Sequence, residues 1–444
     1  MDFNERELFK KFQLDNINTF KKYLQDYDAS VAASMRAAGY KLKNQSSRTV
    51  LFTFGEVTIT RNRWYKNGKC KIPVDEKLGL KPYERISSEL LYQIIYLSTL
   101  LPYRKIEEVF ELLLQSLVSK DTVQKAVKLA TKILKEKADY KKIKEESSIQ
   151  KIKAPKIYLE GDGVMLKTTD RNNDFQSTDF SHFVVHTGSY KESSKRTCLK
   201  NKKEFISQHN SKAREQVLDY LFNHFEITDQ TVLICNSDGG RGYSPQLFQE
   251  IGKALGIKKI EYFLDAYHVN DRIKKLFSRF SNELTEKAFE ALKNHSRKKL
   301  EILFDTAESF LENQDEINEL NNQKKKFLRQ FPFMKSPKLR NIDVDSIGIM
   351  ESQHRKITYR MKNRGMYWSR TGAETMSKLI ICNAENNLRN LILGDWRKDY
   401  EKINIHHGSA DQWVRNTKRK GFWRPEIELK NTNIRNRVRS IKKY

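Results

Sequence analysis

Between residues 156 and 264, short apolar runs alternate with amphipathic segments, and this order restricts the fold more than any other feature. The run 231–236 is almost wholly apolar, which is typical of a strand buried on both faces of a sheet. Seven elements are predicted in order: strands 156–167, 181–189 and 198–206, helix 213–225, strand 231–236, helix 245–255 and strand 260–264. This pattern predicts an α/β domain with a mixed sheet.

Acidic residues lie at three positions that such a sheet would expose. Glu160 and Asp162 are two residues apart in the first strand, so both should project from one face. Asp238 follows the fourth strand, and Asp265 with His268 follows the fifth, at the edge where open α/β sheets keep their sites. An Asp-Gly pair alone is typical of a turn, and a single histidine is usually a packed polar residue. The prediction of a site therefore depends on the joint order.

Asp162 and Asp238 would meet if the first and fourth strands are neighbours, as they are in an RNase H-like sheet. Two carboxylates that close repel each other unless a cation lies between them. Mg²⁺ (or Mn²⁺) suits carboxylate and phosphate oxygens, and a pair of such ions supports phosphodiester chemistry. The sequence therefore predicts a two-ion site for Mg²⁺ or Mn²⁺.

A third carboxylate is expected from a helix that follows residues 269–335, which have no strand pattern and predict a helical insertion. The two candidates are Glu351 and Glu374, although either is equally suited to stabilise a helix N-terminus. Glu351 is preferred because several basic residues beside it are placed to hold DNA phosphates: His354, Arg355, Arg360 and Lys362.

The excess of basic residues indicates a polyanionic partner. Lys and Arg number 83 against 56 Asp and Glu, which gives a net charge of +27. Such an excess is typical of proteins that neutralise nucleic-acid phosphates, although a ribosomal or merely lysine-rich protein would share it. Binding to a membrane surface is less favoured, because the basic residues are spread along the chain and do not gather on one amphipathic helix.

Other features predict a cytoplasmic location. The sequence contains no run of about 18 apolar residues and no signal-peptide core after Met1. Four widely spaced cysteines fit a reducing compartment and argue against a disulfide framework or a zinc ribbon: Cys70, Cys198, Cys235 and Cys382.

The N-terminal part predicts DNA-binding elements. Residues 1 to about 48 are predicted to be helical, and strand 57–65, with Arg61 and Arg63 as DNA contacts, turns at Asn67-Gly68 into a hairpin. Helices 103–114 and 121–134, the second with Ser119 as its N-cap, suit a helix-turn-helix. Two ordinary packed helices explain the same pattern at least as well.

These patterns predict the following organisation. Residues 1–85 form a helical segment with a hairpin, and 86–150 form a helix-turn-helix-like region with a linker. Residues 151–268 and 346–395 form the catalytic domain, and 269–345 form its helical insertion. Residues 396–444 form a basic tail.

The combined motifs resemble the DDE transposases of bacterial insertion sequences. Within that group the chain is most similar to the ISLre-type family, which is distantly similar to the Mutator-like group. The resemblance covers nearly the whole chain. It lies in Asp162, Asp238-Gly239-Gly240, Asp265-Ala266-Tyr267-His268, the helical insertion, Gly348-Ile349-Met350-Glu351, Phe54-Gly55-Glu56-Val57 and residues 360–369.

The resemblance implies an RNase H-like catalytic domain whose metal-holding triad is Asp162, Asp238 and Glu351, with Glu374 as the alternative third member. It implies that Asp265 and His268 form the accessory (C/D)xxH motif, which supports the active site. The implied partners are double-stranded DNA, as transposon ends and target, and further copies of the chain in a synaptic complex. The implied location is the nucleoid of a bacterial cytoplasm.

Two other functions fit the same residues. An RNase H-like nuclease would cleave DNA without joining it to a target. A domesticated DNA-binding protein would keep the fold without catalysis, although the presence of all the acidic positions counts against it.

Overall fold

Two parts of the chain fold as separate units in the computed structural model. The structure describes residues 3–114, 118–145, 149–169, 174–194, 196–362 and 365–403. Within these ranges, the N-terminal unit comprises residues up to 144 together with 378–403, and the sheet unit comprises residues 145–377.

The N-terminal unit begins with two helices and a three-stranded antiparallel sheet in the order β1-β2-β3. The elements are α1 (Glu5–Ser30), α2 (Ala32–Ala37), β1 (Lys41–Phe52), β2 (Gly55–Lys66), β3 (Lys69–Lys71) and α3 (Pro73–Lys77). The predicted helix is confirmed as far as Ala37 but is wrong over residues 41–48, where β1 pairs with β2. Pairing with β2, which follows directly along the chain, outweighs the local preference of residues 41–48.

Asp75 fixes α3 against this sheet. Its two carboxylate oxygens form ion pairs with Arg48 and with Arg61, each at 2.8 Å. The apolar core around the sheet includes Leu24 and Val50. The predicted hairpin turn at Asn67-Gly68 is confirmed, since it joins β2 to β3.

Three further helices follow: α4 (Ser88–Ser98), α5 (Tyr103–Leu114) and α6 (Lys120–Tyr140). A π-helical turn, Lys141–Glu145, extends α6 into the predicted linker. Ser119 caps α6 as predicted, because its hydroxyl accepts the N–H of Thr122 at 3.3 Å. None of the helices in the described ranges is both long and apolar enough to span a bilayer.

A mixed sheet of order β12-β11-β5-β6-β9 organises the sheet unit. In chain order its strands and smaller ribbons are β4 (Ile152–Lys153), β5 (Lys156–Thr169), β6 (Phe175–His186), β7 (Ser189–Ser193), β8 (Arg196–Leu199), β9 (Lys203–Ser207), β10 (Phe225–Glu226), β11 (Val232–Ser237) and β12 (Lys259–Leu264). β5 runs parallel to β11 and antiparallel to β6, and β12 is parallel to β11.

The single predicted strand 198–206 is in fact two strands. β8 pairs with β7 outside the main sheet, whereas β9 pairs with β6 within it. The chain turns between them at Asn201, whose φ of 50° lies in the left-handed region that asparagine tolerates.

Helices cover the sheet and extend its core. They are α7 (Asn210–His224), α8 (Pro245–Ala254), α9 (Ala266–Phe277), α10 (Asn282–Lys293), α11 (Arg297–Glu308) and α12 (Gln314–Gln330). Short 3₁₀ turns follow at Phe331–Met334 and Lys338–Arg340. One apolar cluster contains Leu233 and Leu264 of the sheet as well as Phe277, Phe304 and Phe327 of the insertion, so the predicted insertion shares the core of the sheet.

The last elements are α13 (Met350–Met361), β13 (Trp368–Ser369), α14 (Arg370–Ala384) and α15 (Leu388–Leu393). The chain passes from the sheet unit to the N-terminal unit within α14. Residues 378–395 therefore group with the N-terminal helices, whereas the sequence predicted them in the catalytic domain. Of the predicted tail, residues 396–403 are helical, and 404–444 lie outside the described residues.

Candidate active site

Asp162 of β5 lies next to Asp238, which directly follows the adjacent parallel strand β11. The register pairs Gly161 of β5 with Ser237 of β11, and the two aspartates are the next residues along. Backbone N–H groups hold both carboxylates in place: Gly163 donates to Asp162 at 2.7 Å, and Gly240 donates to Asp238 at 2.8 Å. The predicted meeting of these residues at the sheet is confirmed by this register.

Asp179 of β6 is a third carboxylate at this point, and the sequence did not predict it. A Cβ atom at Gly163 would collide with the Asp179 carboxylate, so the glycine leaves the space that this side chain uses. Burial, reinforced by the charges of Asp162 and Asp238, raises the pKa of Asp179. No motif marks this residue, and only the pairing of β6 with β5 brings it to the site.

The pKa values of Asp162 and Asp238 are shifted in opposite directions. Burial alone would raise the pKa of Asp162, but contact with His268 and the nearby His354 holds it below its ordinary value. Burial raises the pKa of Asp238, and the charge of Asp162 adds to this effect against the hydrogen bond from Gly240. The site therefore concentrates negative charge that a cation would relieve.

The start of α9 brings His268 to this cluster. Asp265 is buried and caps the helix, accepting the backbone N–H of His268 at 3.1 Å. The Nε2 atom of His268 lies 3.8 Å from a carboxylate oxygen of Asp162, and this contact raises the pKa of His268. The two residues of the predicted pair therefore have different contacts: Asp265 caps the start of α9, and His268 faces Asp162.

Arg272, one turn further along α9, lies near Asp238. Its guanidinium donates to Gln330 at 2.7 Å and lies over the ring of Phe327. Burial lowers the pKa of Arg272, and the charge of Asp238 opposes that effect. One helix therefore directs a histidine toward one aspartate and an arginine toward the other, and the sequence did not predict the arginine.

His354 of α13 is the second histidine that lies near Asp162. Its Nδ1 atom lies 3.8 Å from the same Asp162 oxygen, and the residue is only 6% exposed. Burial, reinforced by the neighbouring His182, lowers the pKa of His354 to about 4. The prediction that His354 contacts DNA phosphates is wrong, because packing turns it inward.

A buried ionic cluster supports His354. His182 stacks on it with ring centroids 5.3 Å apart, and its Nε2 donates a hydrogen bond to the Glu204 carboxylate at 3.1 Å. Glu204 also forms ion pairs with Lys356 and with Lys202. Burial alone would raise the pKa of Glu204, but His182 and the two lysines hold it well below its usual range. Burial lowers the pKa of Lys356 despite its attraction to Glu204.

Replacing Glu204 with Gln should lower the free energy of unfolding by about 3 kcal/mol at pH 7, because two half-buried lysines lose their counter-charge. The depressed pKa of Glu204 means that its stabilisation exists above the ordinary value of 4.5 and is lost as the pH falls below it. Urea melts of both proteins at pH 7 and in acid should therefore converge at the lower pH.

The matched control is Glu192→Gln, since Glu192 pairs with Arg196 on an exposed surface. Its effect should stay within about 0.5 kcal/mol. Equal losses in the two variants, or a Glu204→Gln difference that does not shrink in acid, would contradict the buried-charge explanation.

The two candidates for the third carboxylate lie in different settings. Glu351 is exposed in the first turn of α13, three residues before His354. Glu374 of α14 accepts the backbone N–H of Gln208 at 3.4 Å. In the described part of the chain, no three His, Cys, Asp or Glu side chains are grouped so as to hold a metal ion.

The predicted DNA contacts divide into exposed and buried residues. Arg355 and Lys362 are exposed on and after α13. Arg360 is 1% exposed with its guanidinium over the Trp368 ring, and Arg61 is buried against Asp75, so neither presents its charge to DNA. Both predictions are corrected for the same reason: both arginines are buried in the interior of their units.

Arg63 of β2 is partly exposed and lies beside Tyr65, whose hydroxyl accepts from it at 2.6 Å. Its side chain is accessible to a nucleic acid at the surface of the N-terminal unit. Arg63, Arg355 and Lys362 therefore stay as candidate DNA contacts.

Two comparisons place the chain among known proteins. A family model described as "Uncharacterised protein family (UPF0236)" matches residues 5–398. A relative from Streptococcus gallolyticus, named as the UPF0236 protein in the vanSb 3′ region, is 31% identical over 368 residues. That alignment covers 82% of this chain and 78% of the relative.

Proposed function

The chain belongs to the uncharacterised protein family UPF0236, and we propose that it is a DNA transposase of an insertion sequence, with metal-dependent cleavage and joining at the sheet. The observation that carries this proposal is the placement of Asp162 of β5 next to Asp238, which directly follows the adjacent parallel strand β11. The strand order β12-β11-β5-β6-β9, in which β9, β11 and β12 run parallel to β5 and β6 runs antiparallel to it, supports an RNase H-like classification.

The donor set suits a hard divalent cation. Asp162 and Asp238 offer carboxylate oxygens, and burial together with the charge of Asp162 raises the pKa of Asp238. In this proposal Asp162, Asp238 and Glu351 hold a pair of Mg²⁺ or Mn²⁺ ions. Ions held there would supply Lewis-acid stabilisation of the attacking and leaving oxygens of a phosphodiester.

Residues around the carboxylates have separate roles in this proposal. His268 touches Asp162 and orients its carboxylate, while Asp265 fixes the start of the helix that carries His268. Arg272 stays near Asp238 as a fixed positive charge. Outside the cluster, Arg355 and Lys362 are placed to contact the DNA backbone.

The net charge of +27 supports a DNA partner over a small-molecule substrate. The proposal includes a homo-oligomer that holds the two ends of the transposon. It also includes a cytoplasmic, nucleoid-associated location. Both follow from the transposase function.

The test uses purified chain and labelled duplex DNA that carries the inverted repeats bordering its gene. With Mg²⁺ or Mn²⁺, the expected products are a nick with a free 3′-OH at the repeat end and a joined product with target plasmid. Chelation should stop both, and scrambled ends should not be cut. Asp162→Asn protein purified in parallel controls for contaminating nucleases.

Binding of the ends without cleavage in either ion would contradict enzymatic activity and favour a domesticated DNA-binding protein. Cleavage without a joined product would contradict the strand-transfer step and favour a nuclease of the same fold.

A further inference from the structure

The segment 343–349, which leads into α13, is bonded to one face of β5. The β5 residues that face it, or α13 beyond it, alternate along the strand: Lys156, Tyr158, Glu160 and Asp162. The ammonium group of Lys156 donates to the backbone oxygen and to the carboxylate of Asp343, each at 2.7 Å. The hydroxyl of Tyr158 accepts the N–H of Asp345 at 3.1 Å.

Glu160 makes the last of these bonds before the site. One carboxylate oxygen accepts the N–H groups of Gly348 and Ile349, at 2.8 and 3.0 Å. These are the two peptide groups immediately before α13, and a negative charge there also favours the helix dipole. Two residues further along β5, Asp162 faces His354 of the same helix.

The burial of Glu160 indicates that its carboxylate has a defined structural role. Its side chain is 0% exposed, and burial raises its pKa against the nearby His186 ring and the hydrogen bonds from Ile349 and Gly348. Burial of a carboxylate is costly unless hydrogen bonds or nearby charges compensate it, and Glu160 accepts two backbone N–H groups. The ring of His186, which stacks on Tyr158, lies 3.5 Å from the other carboxylate oxygen of Glu160.

Gly348 fits this anchor closely. Its φ is +77°, and an added Cβ atom would lie 3.2 Å from the carboxylate of Asp265. The chain therefore passes between Glu160 of β5 and Asp265 beyond β12 just before α13 begins. This close passage leaves little freedom in where the helix starts.

We infer that Glu160 is a positioning residue that sets the register of α13 against β5, and so the placement of Glu351 and His354 relative to Asp162. The inference rests on the proposed function. A slip of one residue would turn Glu351 by about 100° around the helix axis. Glu351 and His354 are three residues apart and so are neighbours on the helix surface, which makes one anchor sufficient for both.

The experiment compares Glu160→Ala with Glu160→Gln in the full chain. Hydrogen exchange of residues 348–354, without DNA or metal, should be at least about tenfold faster in Glu160→Ala. Cleavage should fall about 10- to 100-fold, and the half-saturating Mn²⁺ concentration should rise by a similar factor. Binding of DNA without metal should stay unchanged.

Glu160→Gln is the conservative control, because its amide oxygen can still accept both N–H groups. His186 can adapt to the new NH₂, since its Nδ1 lies 3.2 Å from the N and 3.3 Å from the O of Gly188 and either tautomer has a partner. Exchange and cleavage in this variant should stay within about fivefold of the wild type. If Glu160→Ala does not fold, Glu160→Asp, which is too short to reach both N–H groups, replaces it with the same expectations.

Unchanged exchange at 348–354 in Glu160→Ala would overturn the anchoring role. Faster exchange with unchanged cleavage and unchanged Mn²⁺ dependence would overturn its role in positioning the site. A wild-type protein without metal-dependent cleavage would overturn the proposed function instead, and the exchange result would still decide whether Glu160 anchors α13.

Discussion

Asp162→Asn and Asp238→Asn should each reduce DNA cleavage by about 10³-fold or more, while DNA binding without metal stays within about twofold. Asparagine keeps the size of aspartate and one oxygen, so the N–H groups of Gly163 and Gly240 keep their acceptors. In the proposed function, the lost charge is what would hold the cation. The double variant should be no worse than either single one, because both residues serve one metal site in the proposed function.

Stability provides an independent readout of the same variants. Asp238 lies near the like charges of Asp162 and Asp179, so Asp238→Asn should raise the melting temperature of the metal-free protein. Added Mg²⁺ should raise the melting temperature of the wild type and leave both variants unchanged. Single-turnover cleavage and thermal melts with and without Mg²⁺ measure these effects.

Asp229→Asn is the matched control, because Asp229 forms an exposed ion pair with Lys258 at 2.9 Å. Its cleavage and its response to Mg²⁺ should equal those of the wild type. Retention of more than a tenth of the activity by Asp162→Asn or Asp238→Asn would contradict the proposed site.

The parts of the site that could be predicted depend on strand order. Asp162 lies in one apolar strand and Asp238 ends another, and adjacent parallel strands bring such positions together. His268 was predictable for the same reason, since it follows the end of β12 in the first turn of a helix. Alternation along a strand also placed Glu160 on the face of Asp162, and both contact the α13 region.

The parts that could not be predicted depend on antiparallel pairing and on helix rotation. Asp179 and Glu204 lie on β6 and β9, where no motif marks them and only the register carries them to the site. His354 and Arg360 looked like surface cations, but packing of α13 turns both inward. The helix prediction for residues 41–48 failed for a related reason, because these residues form a strand by pairing with β2.

Glu351→Gln should reduce cleavage by about 10³-fold or more, whereas Glu374→Gln should stay within about threefold of the wild type. Glu351 is exposed one turn before His354, which already reaches Asp162, and its carboxylate has no role in the folded core. Glu374 accepts a backbone N–H from Gln208, a role that a glutamine oxygen can keep. The two changes are chemically identical, so each variant controls for the other.

Single-turnover cleavage at saturating Mg²⁺, with the Mg²⁺-dependent rise in melting temperature, decides between the two helices. Loss of both signals in Glu351→Gln alone would assign the third carboxylate to α13, where the anchor at Glu160 fixes the start of the helix. The reverse pattern would assign it to α14. Full activity in both variants would contradict a glutamate from either helix and direct the search to Asp179, the remaining carboxylate beside Asp162 and Asp238.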